Sequence, residues 1–310
     1  MSAGIELLMA ELDSARDRVK GLEELLGEFA PEDESRDRPT TWAEVNAADA
    51  TPPEWLWSLL MTNRVAGLLA PRSVGFMAAD SRSGKSLFLM NLALCAARGT
   101  PFLDSAFSRP LSVLYVAAEG SRPMTFKRAR EVGNGLIVPA DADIPFFFQP
   151  DGVPHGEYVL GRGRVDRWIE RARADIVILD TVGYFHDGDE NSAMEMKRHV
   201  MRPLYALTMR HGCSVIVVHH NKKQQPGFEG HDGSQKGRGS GALFADSDFW
   251  WRMETPPPSL RYVTTQEKFL QYRTLHIDKN KYEEDGQEIG MLVNFRTATF
   301  ARRAGTAGTV

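Results

Sequence analysis

Cysteine is nearly absent from this chain of 310 residues, which contains only Cys95 and Cys213. Both sit inside apolar stretches with no CxxC or Cys/His spacing around them, which excludes a disulfide framework and a thiolate zinc site. A charge excess is missing too. Lys plus Arg number 37 against 41 Asp plus Glu, a formal net charge of −4, so a polyanion must meet a local basic patch rather than a general positive coat. No uninterrupted apolar run approaches the ~18 residues of a membrane-spanning helix, and the N-terminus is acidic and amphipathic rather than basic and then apolar. The expectation is a soluble, unexported, cytoplasmic protein with no membrane partner. Internal repeats and long low-complexity tracts are also lacking.

A hydrophobic content of 42% over 310 residues suits one large α/β core plus a small extension, since single cores stop growing near ~250–300 residues. Ahead of that core, residues 5–29 carry a heptad. Ile5, Leu12, Val19 and Leu26 form one seam position and Leu8, Ala15, Leu22 and Phe29 the other, predicting an amphipathic helix over 1–30. Its seam either pairs with another subunit or folds onto its own core, and Gly21 weakens it by about 1 kcal/mol relative to Ala. Residues 31–53, with PEDESRDRPTT, have linker character. The folded core is expected over 54–303, and the small-residue tail 304–310 is expected to be disordered.

Within the core, Pro53, Trp55, Leu56 and Trp57 point to a short helical stretch, followed by a buried strand over 74–78. A helix follows with Leu87, Leu89, Met90, Leu94 and Cys95 as its apolar positions and Gly99 as its stop. Further buried strands are expected over 112–118, 176–179 and 214–218, with helical patterns over 163–174 and 193–210 between them. Strands alternating with helices predict a mostly parallel twisted sheet with helices on both faces. After residue 240 the pattern becomes strand-like over 248–253, 260–265, 274–278 and 291–300, read as antiparallel additions to one edge.

Ala79-Asp80-Ser81-Arg82-Ser83-Gly84-Lys85-Ser86 follows the phosphate-loop pattern G-x-x-x-x-G-K-[ST] with alanine for the first glycine. Placed between a strand and a helix, its N–H groups and the helix N-terminus converge on phosphate, a site for ATP running from Ala79 to Leu87. Lys85 binds phosphate oxygens in this reading, and the Ser86 hydroxyl holds Mg²⁺ together with Asp180, which ends Asp175-Ile176-Val177-Ile178-Leu179-Asp180. A lone Asp after a strand is also an ordinary turn residue, so that assignment depends on Ser86. The alanine requires residue 79 to keep φ below zero, and Arg82 likewise to stay out of the left-handed region.

The chain resembles the RecA/DnaB superfamily, and within it the RepA-like hexameric helicases and related AAA-type ATPases of phages and plasmids. The resemblance covers roughly residues 50 to 300 and rests on SRSGKS, YVAAEG, VILDTVGYF, GDENSA, the His pair of IVVHHNKK, GRGSGALFADSD and KNKY. It implies a RecA-like P-loop NTPase core that hydrolyses ATP with Mg²⁺. Glu119, after Tyr115-Val116-Ala117-Ala118, becomes the candidate general base, and His220, rather than His219, the γ-phosphate sensor. Lys279 and Lys281 take the place of a basic finger reaching a neighbouring subunit's nucleotide, where replicative helicases of this group usually carry arginine. A solvated basic edge strand is the alternative for both lysines.

Between His220 and Gly241 a Gly-rich run carries Lys222, Lys223, Lys236 and Arg238, the make-up of a phosphate-binding loop for single-stranded DNA or of an unliganded surface loop. By the resemblance it matches the second DNA-binding loop, and 183–191, with Tyr184 and Phe185, the first. The implied function is an oligomeric, hexameric helicase. A RecA-like strand-exchange filament and an ATP-gated, slowly hydrolysing DNA-binding regulator or helicase loader share the same motifs. Other replication or recombination proteins are compatible partners.

Overall fold

The computed structural model describes residues 41–47, 54–60, 65–150, 158–161, 163–220, 240–264, 266–283 and 285–303. The N-terminal heptad, the tail after 303 and most of the expected linker lie outside these residues. The chain divides into two compact units, Met1–Pro52 and Pro53–Val310. In the first, helix α1 (Trp42–Ala47) opens with a capping box inside the stretch read as linker. Glu44 N–H donates to Thr41 Oγ1 at 3.3 Å, while Glu44 Oε2 accepts from Thr41 N–H at 2.8 Å, satisfying helix-start groups reciprocally.

The second unit begins with a small antiparallel sheet of order β2-β1-β4, made of β1 (Trp57–Leu60), β2 (Val65–Leu69) and β4 (Ser105–Phe107). Here the expected helical stretch is a strand. Trp57 and Leu59, two apart, are both buried, and Trp57 lies between Phe102 and Phe107 with ring centroids at 5.9 and 6.0 Å. Period-two burial of large side chains outweighs the weak helical signal.

The main sheet has nine strands in the order β12-β11-β10-β9-β3-β8-β7-β5-β6. Its parallel part comprises β3 (Val74–Ala79), β5 (Val113–Ala117), β6 (Phe146–Gln149), β7 (Ile176–Asp180), β8 (Ser214–His220) and β9 (Phe249–Glu254). Their side chains alternate between two cores. Met77, Tyr115, Ile178 and Ile216 face one, covered by α2 (Lys85–Arg98) and α3 (Arg122–Gly135). Phe76, Leu114, Val177 and Val217 face the other, covered by α4 (Arg164–Ala172) and a long helix. Burial on both faces accounts for the unbroken apolar runs read from the sequence.

That long helix is interrupted. It runs as α5 (Ala193–Met196), a π turn over Lys197–Met201, and α6 (Arg202–His211). Pro203 has no N–H to return to the preceding turn, and the wider π turn lies just before it. After α7 (Ser240–Asp246) and β9, helix α8 (Pro258–Arg261) replaces the strand expected over 260–265. Pro258 takes the first helical turn, where a missing N–H costs nothing.

The sheet then closes with antiparallel β10 (Leu270–Asn280), β11 (Gln287–Asn294) and β12 (Thr299–Arg302). The single strand expected over 291–300 is therefore a hairpin. Asn294 Oδ1 accepts from the N–H groups of Arg296 and Thr297 at 2.9 and 3.2 Å, and Ala298 turns at φ 57°. Among the C-terminal strands, β9 joins parallel to β3, so the antiparallel addition starts only at β10. No helix among the described residues is long and apolar enough to cross a membrane.

Candidate nucleotide site

The chain leaves β3 for the far side of β7, passes from β5 out to β6, and returns through β7 and β8. The carboxyl ends of β3, β8, β7 and β5 thus meet at a switch in strand order, where open parallel sheets form ligand crevices. A cavity of about 600 Å³ lies there, bounded by Lys85, Ser86, Glu119, Asp180, His220 and Phe295 among others.

The phosphate loop is a tight turn between strand and helix. Ala79 is the last residue of β3, paired with His220 and Met253 and fully buried. It stands outside the positive-φ residues, so its methyl group is tolerated as required. Arg82 is different. It sits at φ 63°, contrary to the expectation that it avoids the left-handed region. Gly84 follows at φ 102°, and these two residues bend the chain so that helix α2 starts at Lys85. The fold accepts a cost of about 1 kcal/mol at Arg82 to form the turn.

Two groups at this turn are suited to an anion. Ser83 is 2% exposed and its Oγ is buried without a hydrogen-bond partner among the described residues. Lys85 is 6% exposed; burial lowers its pKa, and the nearby carboxylates of Asp180, Glu119 and Asp80 only partly oppose this. An orphaned hydroxyl and a desolvated ammonium at a helix N-terminus fit the phosphates of a nucleotide. Mg²⁺ would sit with Ser86 and Asp180, which line the same cavity. No group of three or more His, Cys, Asp or Glu among the described residues could hold a metal alone, in keeping with magnesium's use of few protein ligands plus phosphate.

Asp180 ends β7 at 6% exposure. Its Oδ2 accepts from Tyr115 Oη at 2.7 Å, and Tyr115 Oη also lies 3.4 Å from the Ser86 carbonyl. The buried phenol, its pKa raised well above the usual value by desolvation and by Asp180, remains a donor that fixes this carboxylate. Glu119 follows β5, with Oε2 3.8 Å from His220 Nε2. Burial lowers the His220 pKa, with the Lys85 charge acting the same way against Glu119 and Asp180. Its neighbour His219 turns to the opposite face, against Phe76 and Trp250. Alternation along β8 thus puts one histidine in the cavity and one in the core.

Tyr115, Arg128 and Phe295 also line the cavity and escaped the sequence reading. Tyr115 carried a usable signal, since it shares a strand face with Ala117 just before Glu119. Arg128, on α3, and Phe295, in the β11–β12 turn, carried none. Phe295 reaches the phosphate loop only through the fold, where a Cβ on Gly84 would lie 3.7 Å from its ring.

Lys279 and Lys281 lie elsewhere. Lys279 pairs with Trp250, which pairs with Phe76, and Asn280 pairs with Phe249, which pairs with Gly75. They therefore occupy the end of the sheet opposite the phosphate loop, about 10–13 Å of strand away from Ala79. Lys279 Nζ donates to the carbonyls of Phe244 and Ala245 at 2.8 and 2.9 Å, and Lys281 Nζ to Asp248 Oδ1 at 3.2 Å. Lys222, Lys223, Lys236 and Arg238 lie outside the described residues. Phe185 is 1% exposed and stacked on Tyr158, so it is a core side chain rather than a base-stacking platform.

A family model for an AAA domain matches residues 31–226. The match spans the phosphate loop, Glu119, Asp180 and His220, on a sheet of RecA-like arrangement. More than half of the chain is covered, and the chain belongs to this AAA-domain family of P-loop ATPases.

Proposed function

We propose that the chain is an ATP-driven motor on single-stranded DNA, an oligomeric, ring-forming helicase of the RepA/DnaB kind. The observation that carries the reading is the contact between Glu119 and His220 at 3.8 Å. His220 is the last residue of β8 and the point from which the basic 221–239 segment departs, so a group beside the hydrolytic carboxylate is joined directly to the candidate DNA loop.

In this reading Glu119 takes a proton from the water that attacks the γ-phosphorus as the bond to the ADP oxygen breaks. Lys85 and the N–H groups at the start of α2 bind the phosphate oxygens, while Ser86 and Asp180 hold the magnesium that offsets their charge. Lys279 and Lys281 are remote from their own phosphate loop, so a role for them in hydrolysis requires another copy's nucleotide and the release of their own-chain bonds. Sites at subunit interfaces are the form of the motor that would use them.

Multiple-turnover ATPase with and without single-stranded DNA, for wild type and Glu119→Gln, tests the reading. Stimulation by DNA that disappears in the variant is expected, and turnover indifferent to DNA would overturn it. The second reading is a slowly hydrolysing, ATP-gated DNA-binding protein. It is favoured by the bonds that tie both lysines to their own chain, which leave Lys279 no free reach.

A further inference from the structure

On the outer side of the phosphate loop, toward β9 and β10, a second pocket of about 470 Å³ is lined by Arg82, Arg261 and Arg273, with Asp80, Ser81 and Thr255 beside them. Arg273 is 3% exposed. Its Nε donates to the Ser83 carbonyl at 2.9 Å, Nη1 to the Tyr272 carbonyl at 2.7 Å and Nη2 to Gln271 Oε1 at 2.9 Å. These partners are neutral, and two of the five guanidinium N–H groups remain beyond them. The half-buried Arg252 meets a carboxylate, Asp278, at 2.6 Å.

Arg273, by contrast, has no carboxylate among the partners that its guanidinium donates to, and Arg261 lines the same pocket. Burial and then Arg261 lower its pKa to about 10. Arg261 itself is anchored by Nε to the Pro256 carbonyl at 3.2 Å. Asp80 is the single carboxylate of the lining, against three guanidiniums. Guanidiniums held in a concave site without matching carboxylates present forked donors suited to phosphate oxygens.

We propose that this pocket, which adjoins the nucleotide cavity and shares Ser81, Arg82 and Phe295 with it, is a second phosphate-binding site in which Arg261 and Arg273, with Arg82 on the shared wall, take up a phosphate group. That group comes from a free polyphosphate anion or from a nucleic-acid backbone. The site is built into the nucleotide machinery, because the guanidinium that would receive the phosphate also holds the carbonyl of Ser83 in the phosphate loop.

The test uses the full chain carrying Lys85→Ala, which disables phosphate binding at the loop. Pyrophosphate at tenfold over its Kd should raise the Tm by about 3–6 °C, and adding Arg261→Gln should weaken that binding at least tenfold. Arg261 is only partly buried on α8, so this variant keeps the fold where Arg273→Gln would threaten it. No rise, or a rise unchanged by Arg261→Gln, overturns the proposal.

A labelled single-stranded oligonucleotide identifies the source. If Arg261→Gln weakens it in parallel and pyrophosphate displaces it, the phosphate is that of a strand. If the oligonucleotide is indifferent while pyrophosphate is not, the ligand is the free anion. Loss of DNA-stimulated turnover would sink the motor reading without touching this result, and the reverse also holds.

Discussion

Glu119 and His220, 101 positions apart in sequence, face each other with Oε2 and Nε2 3.8 Å apart in the cavity that Lys85 also lines. One strand lies between theirs in the sheet, since β5 and β8 flank β7. Glu119→Gln should lower kcat by about 10²–10⁴-fold with nucleotide binding kept. His220→Asn should lower kcat about tenfold, the low end of losing one polar contact to the reacting centre, and should abolish stimulation by DNA. Steady-state turnover with and without an oligonucleotide decides this. An undiminished stimulation ratio in His220→Asn would break the proposed link between the carboxylate and the loop.

Tyr115 gives a second expectation. Its hydroxyl is the donor that orients Asp180, so Tyr115→Phe removes one hydrogen bond and keeps the ring that packs on Phe148. Loss of an outer partner of a metal-holding carboxylate typically costs ~10–100-fold in metal affinity or activity. The Mg²⁺ concentration giving half-maximal turnover should rise about tenfold at saturating ATP. A Mg²⁺ titration identical to wild type would reduce the bond to a structural role.

Much of this site was legible because its chemistry is local. The phosphate loop, Asp180 and Glu119 each follow a short apolar strand, and strand followed by polar turn is readable from one window of sequence. Contacts assembled by topology were not. Phe295 and Gly84 meet only because the β11–β12 hairpin returns over the loop, and the apolar run that hides that hairpin contains the whole turn at Asn294. Trp57 likewise reads as the start of a helix until Phe102 and Phe107, nearly fifty residues later, supply the faces of a strand pair. The end of the sheet occupied by Lys279 depends on β10 running against β9, and no spacing in KNKY encodes that direction.

Ala79 supports a prediction against intuition. The pattern calls for glycine here, yet the residue is a buried strand position whose methyl contributes to the core. Ala79→Gly should lower stability by about 1–2 kcal/mol, combining the backbone entropy of glycine with one lost buried methyl, and should leave turnover no faster. Denaturant melts and ATPase assays of the pair check both halves. A faster, equally stable Ala79→Gly chain would show that the alanine restrains the loop.

Acid sensitivity should trace to His186. The residue is 6% exposed, beside Glu190 with Nε2 3.8 Å from Oε1. Burial lowers its pKa below the usual 6.5 despite the opposing pull of Glu190, so the folded chain binds this proton less readily than the unfolded chain. Above pH 6.5 neither state carries it and nothing is gained or lost. As pH falls from 6.5 toward the folded-state pKa, the unfolded chain is protonated first, and stability declines by at most about 1.4 kcal/mol per pH unit for this one proton. His220, lowered in the same direction, steepens the decline. His186→Leu should therefore flatten the fall in unfolding free energy below pH 6.5 while leaving the profile above it parallel to wild type. Urea titrations at half-unit pH steps measure the two slopes, and equal slopes would place the acid sensitivity elsewhere.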